Sequence, residues 1–228
     1  MPHTLEANWL SIRQRIRAAA ERAGRDTTGV KLIAVSKFHL VDAVLNARAL
    51  GQNIFGENRV QEATQKFASL RDGWPELELH MIGPLQTNKA EDAVRLFDVI
   101  QTLDRPRLAD ALAAAMRKTG KQPRLYIEVN VGREPQKAGV MPEDLPAFLD
   151  YCRMQAGLHP VGLMCIPPAQ ASMEQGADAY FKTMQELART HNMPHLSMGM
   201  SDDFEEAIAA GATEVRIGTA LFGERKQI

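Results

Sequence analysis

The sequence predicts a single (β/α)8 barrel of the TIM type with an additional N-terminal helix, and three observations lead there. Eight short apolar runs of strand length occur along the 228 residues, amphipathic segments separate them, and polar or glycine-rich stretches follow six of them. Alternation at this period argues for parallel strands joined by crossover helices, and eight is the number that closes such a barrel. Periodicity does not show closure, so a doubly wound open sheet is the rival arrangement. No linker rich in Gly, Pro or Ser divides the chain, which is therefore expected to form one domain over residues 1–228.

The chain opens on a helix, because Trp9, Ile12, Ile16 and Ala19 or Ala20 recur at helical spacing and Gly24 supplies a stop. Residues 31–36 form the first expected strand: Val30, Leu32, Ile33, Ala34 and Val35 make the near-continuous hydrophobic run of a strand covered on both faces. Further strands are expected at 53–55, 78–82, 97–101, 124–130, 158–165, 195–198 and 213–217. Helices are expected at 40–49, 57–70, 87–94, 105–118, 143–154, 173–190 and 202–210. In the sixth of these, Ala179, Met184 and Leu187 mark an apolar face among polar neighbours. The longest irregular stretches, 132–146 and 166–177, both follow strands and so read as loops on the functional face.

Composition removes several classes of function. With 27 Lys and Arg against 28 Asp and Glu there is no electrostatic footprint for nucleic acid or an anionic membrane. Two cysteines, Cys152 and Cys165, without a CxxC or Cys/His cluster support neither a disulfide scaffold nor a structural zinc site. No run approaches the roughly 18 apolar residues that span a bilayer, and the N-terminus lacks a signal-peptide core, so a cytoplasmic location is expected.

The chemistry is expected where the strands end. The first strand runs into "SKFH", and a lysine there is either an active-site amine or an ordinary solvated side chain. The same face would collect Lys37, Asn58, His80, Asn88, Lys137, Ser197 and Arg216, the convergence that marks a pocket. "SMGMSDDFEEAI" offers Gly199 for a tight approach and Ser197, Ser201 and Asp202 before a helix; it reads equally as an anion site or as a self-capped helix. "VRIGTALFG" adds Arg216, Gly218 and Thr219 after the last strand, and the seventh and eighth loops of a barrel are the frequent phosphate grip. If the sheet closes, Lys37 on the first strand neighbours that grip. A phosphorylated aldehyde could then form a Schiff base with its amine, and pyridoxal 5'-phosphate meets those requirements. Arg216 facing the pyridine nitrogen would leave it unprotonated, because a guanidinium only donates, and would make the ring a poor electron sink.

The stretches "LIAVSKFH", "FGENRVQEA", "LHMIGPLQTNK", "VNVGREPQKAG", "GLMCIPP" and "LSMGMSDDFEEAIAAGATEVRIGTALFG" resemble the YggS/PROSC group of pyridoxal-phosphate homeostasis proteins across almost the whole chain. That group is similar in fold to the N-terminal barrel of alanine racemases. The resemblance implies that Lys37 is the Schiff-base lysine, that Ser197, Thr219 and the amides around Gly199, Met200, Ser201 and Gly218 hold the phosphate, and that Arg216 meets the ring nitrogen. It also implies that Asn58 and Met164 line the cofactor, with core packing an equal reading of Met164. The function it implies is vitamin B6 homeostasis without robust catalysis: the protein holds the cofactor and exchanges it with dependent apo-enzymes. A similar racemase takes its second base from a tyrosine in a further domain, whereas Tyr126, Tyr151 and Tyr180, the three tyrosines here, fall in no family catalytic motif. Phe38 departs from the small or polar residue many members carry. A monomer is expected. Three residues keep two readings each: Lys137 as a solvated loop lysine or a cofactor contact, His80 as a satisfied buried histidine or a pocket donor, and Glu57 as a helix cap or a pocket group.

Overall fold

The computed structural model describes residues 4–168 and 176–223. Eight parallel strands close into a barrel in sequence order: β1 (Lys31–Val35), β2 (Ile54–Glu57), β3 (Glu78–Met81), β4 (Val99–Leu103), β5 (Arg124–Glu128), β6 (Gly162–Met164), β7 (His195–Ser197) and β8 (Glu214–Ile217). Closure is explicit, since β1 pairs in parallel with β2 and also with β8, Ala34 standing opposite both Phe55 and Ile217. The open-sheet alternative is thereby excluded. Outside the barrel lie α1 (Leu5–Arg22), α2 (Val41–Ala49), α3 (Val60–Phe67), α4 (Ala90–Leu96), α5 (Pro106–Thr119), α6 (Leu145–Asp150), α7 (Ala177–Thr190), α8 (Phe204–Ala209) and α9 (Thr219–Phe222).

Each strand lies within two residues of its expected position at its start except the sixth, expected from 158 and confined to Gly162–Met164. Pro160 has no N–H to donate to a ladder, and the Leu158 amide is already spent on the Cys152 carbonyl, which ends the preceding helix. That helix, expected as one piece over 143–154, is α6 followed by a widened π turn over Tyr151–Ala156 and closed by Gly157 at φ +66°. The second crossover helix starts three residues later than expected, because Glu57 still belongs to β2 and Arg59 is extended. The one-turn α9 is not evident from the sequence pattern. Residues 173–175 of the expected sixth crossover helix, much of the 166–177 loop, and residues 224–228 lie outside the described residues.

The core between helices and sheet is continuous around the barrel, with Phe55, Phe67, Leu79, Leu112, Phe181 and Phe204 fully buried in it. A smaller cluster of Val99, Tyr126 and Met164 fills part of the barrel interior. The extra helix α1 packs on α8 and α9. Arg15 pairs with Glu205 at 2.8 Å and lies over the Phe204 ring, while Asn8 donates to the Leu221 carbonyl at 3.0 Å. Thus α1 steadies the two short helices that follow β7 and β8. Both cysteines are buried thiols, and burial pushes each up to about 12.

Candidate functional site

At the carboxyl end of the barrel a cavity of about 470 Å³ opens between β1, β2 and β8. Seven of the sequence-expected residues line it: Lys37, Asn58, Met200, Ser201, Arg216, Gly218 and Thr219. Val35, Ile82 and Ile166 add apolar walls, and His39, whose ring packs 4.8 Å from that of Phe222, adds a further side. The apolar walls were invisible as such in the sequence, because strand-end isoleucines read as core. Asn58 is held by close backbone packing: a Cβ on Gly83 would lie 2.4 Å from the Asn58 carbonyl oxygen, so only glycine fits there.

Lys37 follows β1 in a turn, half-buried. Ser36 before it is fully buried, its hydroxyl donating to Glu57 Oε1 at 2.7 Å and its carbonyl accepting from Lys66 Nζ at 2.6 Å. Glu57 is therefore neither helix cap nor cavity group. It is the last residue of β2, paired with Lys66 at 2.8 Å, and burial still raises its pKa against the pull of that ammonium. Lys66, nine residues further on and inside α3, is a residue that sequence reasoning missed. Its spacing of four from Glu62 was the available signal.

On the neighbouring strand β8, Arg216 is almost wholly buried, its Nη1 donating to Ser197 Oγ and its Nη2 to the Cys165 carbonyl, each at 2.7 Å. A guanidinium has five N–H donors, and the hydrogen bonds among the described residues use two of them. Burial lowers its pKa, and Cys165, Glu128, Asp203 and Glu214 counter that. The first amides of a helix have no partner within it, and α9 begins at Thr219 in the cavity wall with the Ala220 amide donating to Ser201 Oγ at 3.3 Å. The Leu221 and Phe222 amides donate to the Gly218 carbonyl, so it is the hydroxyls of Ser201 and Thr219 that offer donors here, with Asp202 in the same lining.

Three of the expected residues are not in the cavity lining. Ser197 is fully buried and does not line the cavity; its hydroxyl accepts from Arg216 and donates to Gln101 Oε1 at 2.7 Å, which directs it into the barrel interior. Met164 is core, packed with Val99 and Tyr126. Gly199, at φ +90°, permits the approach of α8, since a Cβ there would stand 2.6 Å from that of Ala207. The Met200 amide is also occupied, donating to Asp203 Oδ1 at 2.6 Å, so the acid after this turn secures the turn itself.

His80 resolves as a satisfied buried histidine. Gln101 Nε2 lies 2.8 Å from its Nδ1, and its Nε2 lies 2.8 Å from Glu78 Oε1. Because Gln101 Oε1 accepts from Ser197, its amide nitrogen must donate to His80 Nδ1, which leaves the imidazole proton on Nε2 facing Glu78. Hydrogen bonds therefore run from Arg216 through Ser197 and Gln101 to His80 and Glu78, with Glu214 on a branch. Lys137 pairs with Glu134 at 2.5 Å, reaches the Pro167 carbonyl at 3.0 Å and does not line the cavity; Asn88 is exposed in a short 3₁₀ turn. Among the described residues no group of three or more His, Cys, Asp or Glu could hold a metal ion, and no helix is long and apolar enough to cross a membrane.

Comparison with known proteins agrees with this fold. The model of the alanine racemase N-terminal domain family matches residues 8–226. The pyridoxal phosphate homeostasis protein of Pseudomonas aeruginosa is 44% identical over 226 residues, covering 97% of this chain and 96% of its own; that of Aquifex aeolicus is 43% identical over 219 residues, covering 93% and 95%. PipY of Synechococcus elongatus, solved without PLP and with PLP bound, is 40% identical with TM-scores of 0.77 and 0.75, covering 92% of this chain and 99% of PipY. A barrel whose strand ends carry these residues, matched nearly end to end by such relatives, has one assignment: the chain belongs to the alanine racemase N-terminal domain family and, within it, to the YggS/PROSC group of pyridoxal phosphate homeostasis proteins.

Proposed function

We propose that the protein holds pyridoxal 5'-phosphate in the cavity between β1, β2 and β8 and serves the homeostasis of that cofactor, with no robust catalysis of its own. The observation that carries this reading is the meeting, in one cavity of about 470 Å³, of a primary amine (Lys37), a buried guanidinium (Arg216) and a hydroxyl-lined helix start (Ser201, Gly218, Thr219). The donor set fits the group: the lining supplies a nucleophilic amine and donors for a phosphate, and Val35, Ile82 and Ile166 add apolar surface. When bound, the cofactor supplies an aldehyde that condenses with an amine and a pyridine ring that can store electron density. Lys37 provides the amine for the Schiff base. Arg216, able only to donate, disfavours protonation of the ring nitrogen and so weakens the ring as an electron sink.

The tyrosines support a holding role over racemisation. Tyr126 donates to Glu214 Oε1 at 2.6 Å inside the barrel, where burial raises its pKa; Tyr151 donates to Asp110 on the surface; Tyr180 packs against the core. None lines the cavity among the described residues. The reading extends to a cytoplasmic monomer that exchanges cofactor with dependent apo-enzymes and, with its near-neutral charge balance, neither nucleic acid nor membrane lipid.

Borohydride reduction of the protein incubated with pyridoxal 5'-phosphate is expected to fix the ligand covalently on Lys37, as mapped by peptide mass. Lys37→Ala is expected to abolish both that adduct and the visible yellow absorption. An adduct formed mainly on another lysine would sink the assignment. Transfer of the cofactor to an apo-aminotransferase, without racemisation of L-alanine at an ordinary turnover of about 1 to 1000 per second, is the matching functional outcome.

A further inference from the structure

The residues on either side of Lys37 are held by charged side chains in addition to backbone hydrogen bonds, in which the Ser36 amide donates to the Gly56 carbonyl of β2 and the His39 amide to the Ser36 carbonyl, each at 3.1 Å. The Ser36 carbonyl accepts from Lys66 Nζ at 2.6 Å, and the Phe38 amide donates to Glu62 Oε1 at 2.5 Å. Lys66 Nζ lies 2.7 Å from the same Glu62 oxygen and 2.8 Å from Glu57 Oε1, and Glu57 Oε1 also accepts from the Ser36 hydroxyl. One ammonium thus joins two carboxylates: Lys66 and Glu62 hold the backbone before and after Lys37, and Glu57 holds Lys66 and the Ser36 hydroxyl. Phe38 is at φ +66°, a conformation that a bulky side chain rarely adopts and that persists only where its surroundings dictate it.

We propose that Glu62, Lys66 and Glu57 are positioning residues for Lys37: they hold the left-handed turn that directs its amine into the cavity, and so set how fast that amine meets an aldehyde. The inference rests on the cofactor site proposed above. A turn at a strand end needs partners only for its carbonyl and amide, which water or a polar side chain supplies at an exposed site. Here the carbonyl has a nine-tenths buried lysine, Lys66, and the amide has Glu62, which that lysine holds, while the fully buried Glu57 holds the lysine in turn. Buried ion pairs often add little net stability against apolar replacements, so geometry at Lys37 is the gain that accounts for this one. In the condensation that Lys37 undergoes, the amine nitrogen replaces the aldehyde oxygen, a C=N bond forms, and the oxygen leaves as water with the two amine protons; no redox change occurs.

The test compares two ligands on three variants. Pyridoxal 5'-phosphate carries the aldehyde; pyridoxine 5'-phosphate has a hydroxymethyl group in its place and reports only on the grip. Stopped-flow absorbance follows adduct formation with the first, and calorimetry measures binding of the second. Glu62→Ala removes the acceptor of the Phe38 amide and is expected to slow adduct formation by about 10- to 100-fold, the scale of a misplacement near 1 Å, while leaving pyridoxine 5'-phosphate binding unchanged. Glu62→Gln keeps an acceptor oxygen at the same reach and should restore most of the rate. Glu62→Asp keeps the charge but draws it back by one methylene, and reads the same loss should the alanine variant fold poorly. Parent-like adduct rates in the Ala and Asp variants, or an equal loss for both ligands, would overturn the proposal. If the parent itself forms no borohydride-fixable adduct on Lys37, the cofactor reading fails and the inference with it, a result separable from a defect confined to the variants.

Discussion

Glu57 closes β2 and Glu128 closes β5, and the two ends of these strands differ in what they do with a buried carboxylate. Both side chains are more than nine-tenths buried, both have an Oε2 without a hydrogen-bond partner, and burial raises both pKa values. Glu57 has Lys66 and the Ser36 hydroxyl on its other oxygen. No described hydrogen bond or ion pair uses the carboxylate of Glu128. Burial and the nearby Asp104 raise it to about 7, and Arg216 and Arg105 only partly offset them. Where a partner is built in, the charge is fixed and orders a backbone turn. Where none is built in, the charge is left poised between its two states near neutral pH.

The sharpest way to break this contrast is to remove the built-in partner. Lys66→Met strands Glu57 as an unpaired buried carboxylate, and is expected to cost about 3 to 5 kcal/mol of unfolding free energy at neutral pH. The cost should shrink as the pH falls toward the range where Glu57 takes up a proton, because a neutral carboxyl no longer needs the ammonium. Urea titrations at several pH values read both effects. A loss below about 1 kcal/mol that is flat with pH would mean that Lys66 is a surface pair in energetic terms, in conflict with its burial.

At Glu128 the expected change has the opposite sign. Its folded pKa of about 7 lies above the usual 4.5, so the group favours the folded state most below pH 4.5, and that contribution is lost as the pH rises through 7. Glu128→Gln mimics the protonated form at every pH. At pH 8 the variant is expected to be more stable than the parent by about 3 kcal/mol, because holding a pKa one pH unit away from its unfolded value corresponds to about 1.36 kcal/mol, and the advantage should fade toward pH 4.5. A variant less stable than the parent at pH 8 would show that Glu128 has a partner in solution.

None of this difference is visible in the chain as text. "GEN" at 56–58 and "EVN" at 128–130 both place a glutamate and an asparagine at a strand end. The distinction comes from Lys66, which a helical turn brings back over β2, whereas among the described residues no lysine pairs with Glu128. The barrel was legible because strand and helix periodicity is a local property repeated eight times, and closure follows from it. Lys37, Arg216, Gly218 and Thr219 were legible because side chains at successive strand ends share a face whatever the details. Ser197 and Gly199 also stand near a strand end yet are absent from the lining, because what a residue there faces depends on register and on the neighbouring helix. Gly199 makes room for α8, and Ser197 points inward at Gln101, a residue of β4 that sequence reasoning did not single out.

The same contrast between facing the cavity and facing the interior separates two hydroxyls, Thr219 and Ser197, and it gives the smallest expected effect. Thr219 stands in the cavity wall at the start of α9, so Thr219→Ala should weaken binding of pyridoxine 5'-phosphate, which reports on the grip alone, by about 1.5 to 3 kcal/mol, the worth of one hydrogen bond to a charged group. Ser197 contacts Arg216 and Gln101 instead, so Ser197→Ala should leave that affinity near the parent value. Its effect should appear in Arg216, whose Nη1 loses an acceptor, and therefore in the absorption maximum of bound pyridoxal 5'-phosphate and in the pH response of that maximum. Melting curves must first show that both variants are folded, since a buried guanidinium left short of one acceptor is itself destabilising. If Ser197→Ala instead weakens the grip as much as Thr219→Ala and leaves the spectrum unmoved, Ser197 holds phosphate in solution, and the division between a cavity wall and an interior support is wrong at this strand end.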